Sequence, residues 1–197
     1  NLVGLFRAMQ DPGTPSGFHV SCGIRVDKAS KATITHTQTA PFDFPEVKVA
    51  WTHRSWGDAP DPKYPWAATF YGDKGTLKAG VNGYDFTPSG KGQTPLHEDV
   101  TYELDQYPED RTEKDLETHV APAIRAHMKN FLECIESRRL PVSDIEQGYM
   151  SATACILANL SLKVGRSLAW DHARGAIVGD TEANNLLARP YRGPWVH

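Results

Sequence analysis

The stretch Trp51-Thr52-His53-Arg54-Ser55-Trp56-Gly57 puts two indoles, an imidazole and a guanidinium close together. Indole rings offer apolar faces for stacking, and guanidinium offers a planar fork of donors for oxygens. Together they suit a sugar, a polyol or a carboxylate. Trp66 and Tyr71, on the next apolar stretch, extend such a wall. A second reading stays open beside this one, in which Trp51 and Trp66 are sheet-core residues and Arg54 is a surface charge.

These side chains need a β-hairpin to position them. Lys31 to Phe44 is rich in Thr and β-branched residues, and Val47, Val49 and Trp51 then alternate with Lys48, Ala50 and Thr52. Period two of this kind predicts strands with two distinct faces. Asp43-Phe44-Pro45-Glu46 reads as the turn, which sets Phe42 opposite Val47, Ala40 opposite Val49, Gln38 opposite Trp51 and His36 opposite His53. Pro45 is awkward at that turn position, so the register is open to a slip of one or two residues. A His36–His53 pair could bind a carboxylate or sugar hydroxyl, or move a proton. Two strand histidines making ordinary hydrogen bonds is the competing reading. The opposite face carries Thr35, Thr37, Thr39, Lys48, Thr52 and Arg54.

Further elements follow the same logic. Phe18, Val20, Cys22, Ile24 and Val26 alternate with polar residues and predict a strand. More strands are expected over Trp66–Tyr71, Thr76–Ala79 and Tyr84–Thr87, with Pro88 to Pro95 as a surface loop and Val100–Leu104 as an edge strand. After residue 118 the period becomes helical: Val120, Ile124, Met128, Phe131 and Ile135 recur at spacings of three and four, with Pro122 in the first turn. This helix is expected to lie on the sheet. Ser143 and Glu146 have capping-box spacing at the start of a second helix, which ends near Gly165 and whose middle, Ala152 to Leu162, is expected to be buried. Leu168–Trp170 returns as a strand and Glu182–Leu187 adds a helical turn. Strands first and helices afterwards predict an α+β fold: a large, mostly antiparallel open sheet with helices packed on one face.

Composition bounds the function. The chain has 197 residues, a net charge of -3 and no general attraction to polyanions, so nucleic acid is not an expected partner. It is too short for a nucleotide-binding domain and a full-sized substrate domain together. Cys22, Cys134 and Cys155 lie far apart and are read as three buried thiols in a reducing compartment. No apolar run approaches the roughly 20 residues of a membrane helix. No G-x-G-x-x-G follows a strand, Ser89-Gly90-Lys91-Gly92 is only superficially a phosphate loop, and no metal-binding motif occurs. His97, His172 and His197 are read as solvated, and His119 and His127 are too far apart to chelate one ion.

Several stretches together resemble the C-terminal domain of bacterial Gfo/Idh/MocA-type oxidoreductases. They are Phe70-Tyr71-Gly72-Asp73-Lys74-Gly75-Thr76-Leu77, the preceding Trp51 to Trp56, Asn130 to Ile135 with Ser137-Arg138-Arg139, and Asp144 to Gly148 through Gly165-Arg166. Gly179-Asp180, Glu182-Ala183-Asn184 and Arg189-Pro190-Tyr191-Arg192 complete the set. The resemblance implies residues 1–14 as the remnant of a linking helix, with Leu2 to Met9 helical, and 15–197 as a substrate-binding and oligomerisation domain without a Rossmann domain. It implies NAD or NADP as cofactor of a longer protein, none bound by this chain alone, and no catalytic or metal-binding residue within it. The substrate is expected to be a sugar, inositol or related polyol, met by His53, Arg54, Trp56, Tyr71 and His36. A homo-oligomer formed through the sheet is expected, as is a cytoplasmic location. A stand-alone carbohydrate-binding module and a structural dimerisation module are the alternatives.

Overall fold

The computed structural model describes residues 17–18, 21–23, 29, 31, 35–114, 117–188 and 193–194. The linking helix expected over residues 1–14 lies outside them. Two short strands, β1 (Gly17–Phe18) and β2 (Ser21–Gly23), both pair with β3 (Thr37–Asp43), Phe18 opposite Phe42 and Cys22 opposite Gln38. They occupy part of the strand expected over Phe18–Val26, the rest of which is not among the described residues. On the other side of β3 runs β4 (Lys48–Arg54), antiparallel.

The register of that hairpin differs from the expected one. Asp43 faces Lys48, Phe42 faces Val49, Ala40 faces Trp51 and Gln38 faces His53. The closing residues are Phe44 and Val47, whose N–H and carbonyl meet at 3.1 Å. This moves Pro45 to the second position of the turn, where its fixed φ is favourable, rather than the third, where it is not. The resulting slip of two residues is even, so every side chain keeps its expected face. Gln38, Ala40, Phe42 and Phe44 are accordingly buried.

The chain divides into two compact units, one made of the segments up to Gly57 and from Ile145 onward, the other of Asp58–Asp144. The second unit contains a four-stranded antiparallel sheet, β5 (Ala67–Gly72), β6 (Gly75–Gly80), β7 (Gly83–Pro88) and β8 (Leu96–Asp99), in chain order. The described strands thus form two antiparallel sheets rather than one large one. Asp73 and Lys74 turn β5 into β6, as the Gly72-Asp73-Lys74-Gly75 sequence predicts. The last strand departs from expectation, lying at 96–99 instead of Val100–Leu104. Its polar residues are drawn into the ladder by side-chain partners on β7, and the Val100 N–H closes it on the Asn82 carbonyl at 2.7 Å.

Helix α1 (Ala121–Ser137) follows in the same unit, with Pro122 in its first turn. Ile124, Met128, Phe131, Leu132 and Ile135 are each about half exposed rather than buried against a sheet. In the first unit, α2 (Ile145–Val164) ends at Gly165, whose φ of 69° is the left-handed conformation glycine supplies at a helix C-terminus. Strand β9 (Leu168–Asp171) pairs with β1, β10 (Ala176–Ile177) pairs with β9, and α3 (Thr181–Asn185) is a short closing helix. Phe42 and Phe44, Leu157 and Leu160, Leu168, Ile177 and Ala183 form this unit's core. Met150, Ala154, Leu157 and Ser161 give α2 one buried stripe, while Ala152, Cys155 and Ile156 on its other side are exposed. Cys155 is therefore exposed, on the side of α2 away from its buried stripe, and Cys134 is half-buried, which corrects the expectation of buried thiols. Among the described residues, no helix is long and apolar enough to cross a membrane.

Candidate functional site

On the hairpin, Trp51 and His53 alternate onto the same face of β4 and stack, with ring centroids 5.8 Å apart and planes 12° from parallel. Both are exposed. On the same face Phe44, Phe42, Ala40 and Gln38 of the preceding segment are buried, the last two directly opposite the stacked pair, while Trp51 and His53 keep their own rings exposed. Neither Trp51 nor Trp66 is a core residue: they are 38% and 76% exposed.

The other face gathers different members of the expected wall. The Trp56 indole N–H donates to the Thr37 hydroxyl at 2.9 Å, and Arg54 sits opposite Thr37 in the register. The Thr39 and Thr52 hydroxyls lie 3.5 Å apart, and Lys48 pairs with Asp43 at 2.7 Å near the turn. Alternation along β4 thus divides the wall, with His53 on one face and Arg54 and Trp56 on the other. His36 does not face His53. The two-residue slip puts it beside Ser55, whose N–H donates to the His36 carbonyl at 3.1 Å. Tyr71 belongs to the second unit, strongly exposed on β5.

A cluster not anticipated from sequence lies within residues 58–144. Register places His97 of β8 opposite Asp85 of β7. His97 Nδ1 lies 2.7 Å from Asp85 Oδ1, its Nε2 lies 3.3 Å from Asp99 Oδ1, and Lys63 Nζ donates to Asp85 Oδ2 at 2.7 Å. Lys63 and Tyr64 hydrogen-bond Asp85 and hold its carboxyl down at about 2; Asp85 in turn raises the His97 imidazole above its ordinary value. Lys78 donates to Asp61 at 2.6 Å beside the Tyr64 ring. His97 is thus a bridged group, not the solvated imidazole its loop-like sequence context predicts. Its signal was the pairing of β7 with β8, which local sequence does not display. A cleft of about 210 Å³ opens beside this cluster.

The C-terminal motif residues prove to be structural. The Arg166 guanidinium donates to both oxygens of Asp180 at 2.8 Å and to Glu182 at 2.8 Å, while Asp180 caps α3 by accepting from the Ala183 N–H at 2.9 Å. Asn184 reads both backbone groups of Ile177, accepting from its N–H at 2.8 Å and donating to its carbonyl at 2.7 Å. These contacts lock the end of α2 to β10 and α3.

The family described as "Oxidoreductase family, C-terminal alpha/beta domain", of the Gfo/Idh/MocA group, matches residues 105–197, the segment that contains this lock. Residues 105–197 are similar to that C-terminal domain family. The fold agrees. The Bacillus subtilis protein yvaA, named as an oxidoreductase, is similar with a TM-score of 0.55 and 11% identity over 86% of this chain. The chain spans 49% of the length of that protein. No curated protein matches the sequence.

A dinucleotide finds no cradle among the described residues. Gly72 with Gly75, and Gly80 with Gly83, border β-hairpin turns rather than the strand-to-helix turn that binds a pyrophosphate. The cleft, about 210 Å³, falls below the roughly 300–1,000 Å³ of sites that enclose drug-sized ligands. Among the described residues there is also no group of His, Cys, Asp and Glu that could hold a metal ion.

Proposed function

We propose that this chain is the substrate-side domain of an NAD(P)-dependent oxidoreductase acting on a sugar, inositol or related polyol. The family match over residues 105–197 carries the reading. The exposed Trp51–His53 stack supports it, because an open ring face bordered by polar side chains suits hydroxylated rings. On this reading NAD or NADP is held by a Rossmann domain outside these 197 residues, and one face of the hairpin, either that of Trp51 and His53 or that of Arg54 and Trp56, meets the substrate's remote groups. Binding energy from such remote groups lowers the barrier at the reacting carbon. Calorimetric titration of the chain with NADH is expected to give no binding heat. A micromolar Kd would overturn the reading.

A structural dimerisation role is the second reading, favoured by the half-exposed apolar positions of α1 and by the Thr-rich face of the hairpin. His53→Ala and Arg54→Ala separate the two. Loss of binding to D-glucose or myo-inositol with unchanged sedimentation supports a site; a shift of the sedimentation coefficient toward monomer supports an interface.

A further inference from the structure

The cleft in the second unit is unused by the reading above. Trp66, Pro65 and Val81 give it an apolar side, and Lys63, Asn82, His97 and Asp99 a polar one. Its shape is built by two glycines. A Cβ at Gly80 would stand 2.9 Å from Tyr64 Cδ1, so the bare backbone lets the Tyr64 ring lie against β6. A Cβ at Gly83 would stand 2.3 Å from the Glu98 carbonyl oxygen, so the same device brings β8, with His97 and Asp99, close to β7.

Charge decides what such a cleft would take. Lys63 and a protonated His97 face Asp85 and Asp99, and the four charges cancel; with His97 neutral one negative charge is left over. A phosphate or carboxylate therefore meets no net attraction, and its natural partners are already engaged by Asp85. An ammonium ion would compete with Lys63 and His97 for the same carboxylates. What the site offers instead is closely spaced donors and acceptors next to an indole that is 76% exposed. At about 30 Å³ per water, about 210 Å³ is the room of roughly seven waters, which suits one small ring.

We propose that this cleft binds a single uncharged polyhydroxylated ring, the size of one monosaccharide, stacked on Trp66 with its hydroxyls toward Asn82 and Asp99. The site lies wholly within residues 58–144 and stands whether or not the hairpin face binds substrate. The test is a titration of the ¹⁵N-labelled chain with D-glucose, followed by amide and indole shifts. Saturable shifts at residues 63–66, 80–83 and 96–99 are expected. Trp66→Ala should weaken binding at least tenfold, and Trp66→Tyr, which keeps a ring, should restore most of it. Sodium phosphate and methylammonium chloride at the same concentrations should not reproduce the shifts. The proposal is overturned by absent or non-saturable shifts, by shifts confined to residues 51–56, by undiminished binding in Trp66→Ala, or by phosphate or methylammonium shifting the same amides.

Discussion

Arg125 grips Asp110 with both arms of its guanidinium, Nη1 to Oδ1 at 3.0 Å and Nη2 to Oδ2 at 2.7 Å. The same side chain donates through Nε to Glu103 at 3.0 Å and lies over the Tyr107 ring, 3.9 Å from its centroid. Asp110 is buried in the 3-10 turn Pro108–Arg111, so α1 is fastened to the preceding segment by a planar charged clamp rather than by its apolar stripe. Asp110→Asn should lower the thermal midpoint by several degrees, because a bidentate, mostly buried pair loses its charge match. Arg125→Lys should lower it too, since an ammonium cannot reproduce the fork or the ring stacking. Circular dichroism melts of the two variants check this; an unchanged midpoint in both would show that the clamp contributes nothing.

Asn184 substitutes for a strand neighbour at Ile177. Replacing it by Ala leaves a backbone N–H and a carbonyl without these partners in a half-buried place, at a cost of roughly 1–3 kcal/mol. Urea unfolding measures it, and Asn184→Asp, which can accept from the Ile177 N–H but not donate to its carbonyl, should fall between Ala and the parent chain.

The Lys63–Asp85–His97 network makes stability depend on pH in two windows. Asp85 is held down to about 2, so its stabilisation is complete above the ordinary carboxylate value and is lost as pH falls from about 4 toward 2. The His97 value is raised, so its share is complete below the ordinary imidazole value near 6.5 and is lost as pH rises through the raised one. An NMR titration of the His97 ring protons should show its midpoint displaced upward, and Asp85→Asn should move it back down. A midpoint indifferent to that substitution would sink the account.

Gly83→Ala should loosen β8. Its Cβ would meet backbone, not a flexible side-chain end, so the strand itself has to move, at a cost of roughly 1–3 kcal/mol. Hydrogen exchange of the described ladder amides between β7 and β8 is expected to speed up. Exchange in the first unit, at β3 and β4, serves as the control and should stay as it was.

Much of this architecture was legible in local pattern. Alternation marks β3 and β4 and their two faces, glycine pairs mark the hairpins of the second sheet, and period 3.6 with Pro122 and Gly165 marks where α1 begins and α2 ends. These are properties of neighbouring residues, and physical chemistry at that range is decided by steric limits and by which side is apolar. The α+β class with antiparallel strands follows from that information; the family resemblance, drawn over residues 15–197, rests on the quoted motifs, and the family match covers 105–197.

What only the tertiary structure decided depends on which segment lies beside which. Pro45 could occupy either of two turn positions in sequence, and the Phe44–Val47 closure chose one, moving His36 away from His53 and setting His53 opposite Gln38. Alternation then put Arg54 and Trp56 on the face opposite Trp51 and His53, so residues adjacent in the chain do not share a surface. His97 acquired its bridge between Asp85 and Asp99 because a polar stretch joined β7 as a strand. Local sequence determines the faces; the pairing of distant strands determines which side chains meet on them, because hydrogen-bond register is a property of two strands and of neither alone.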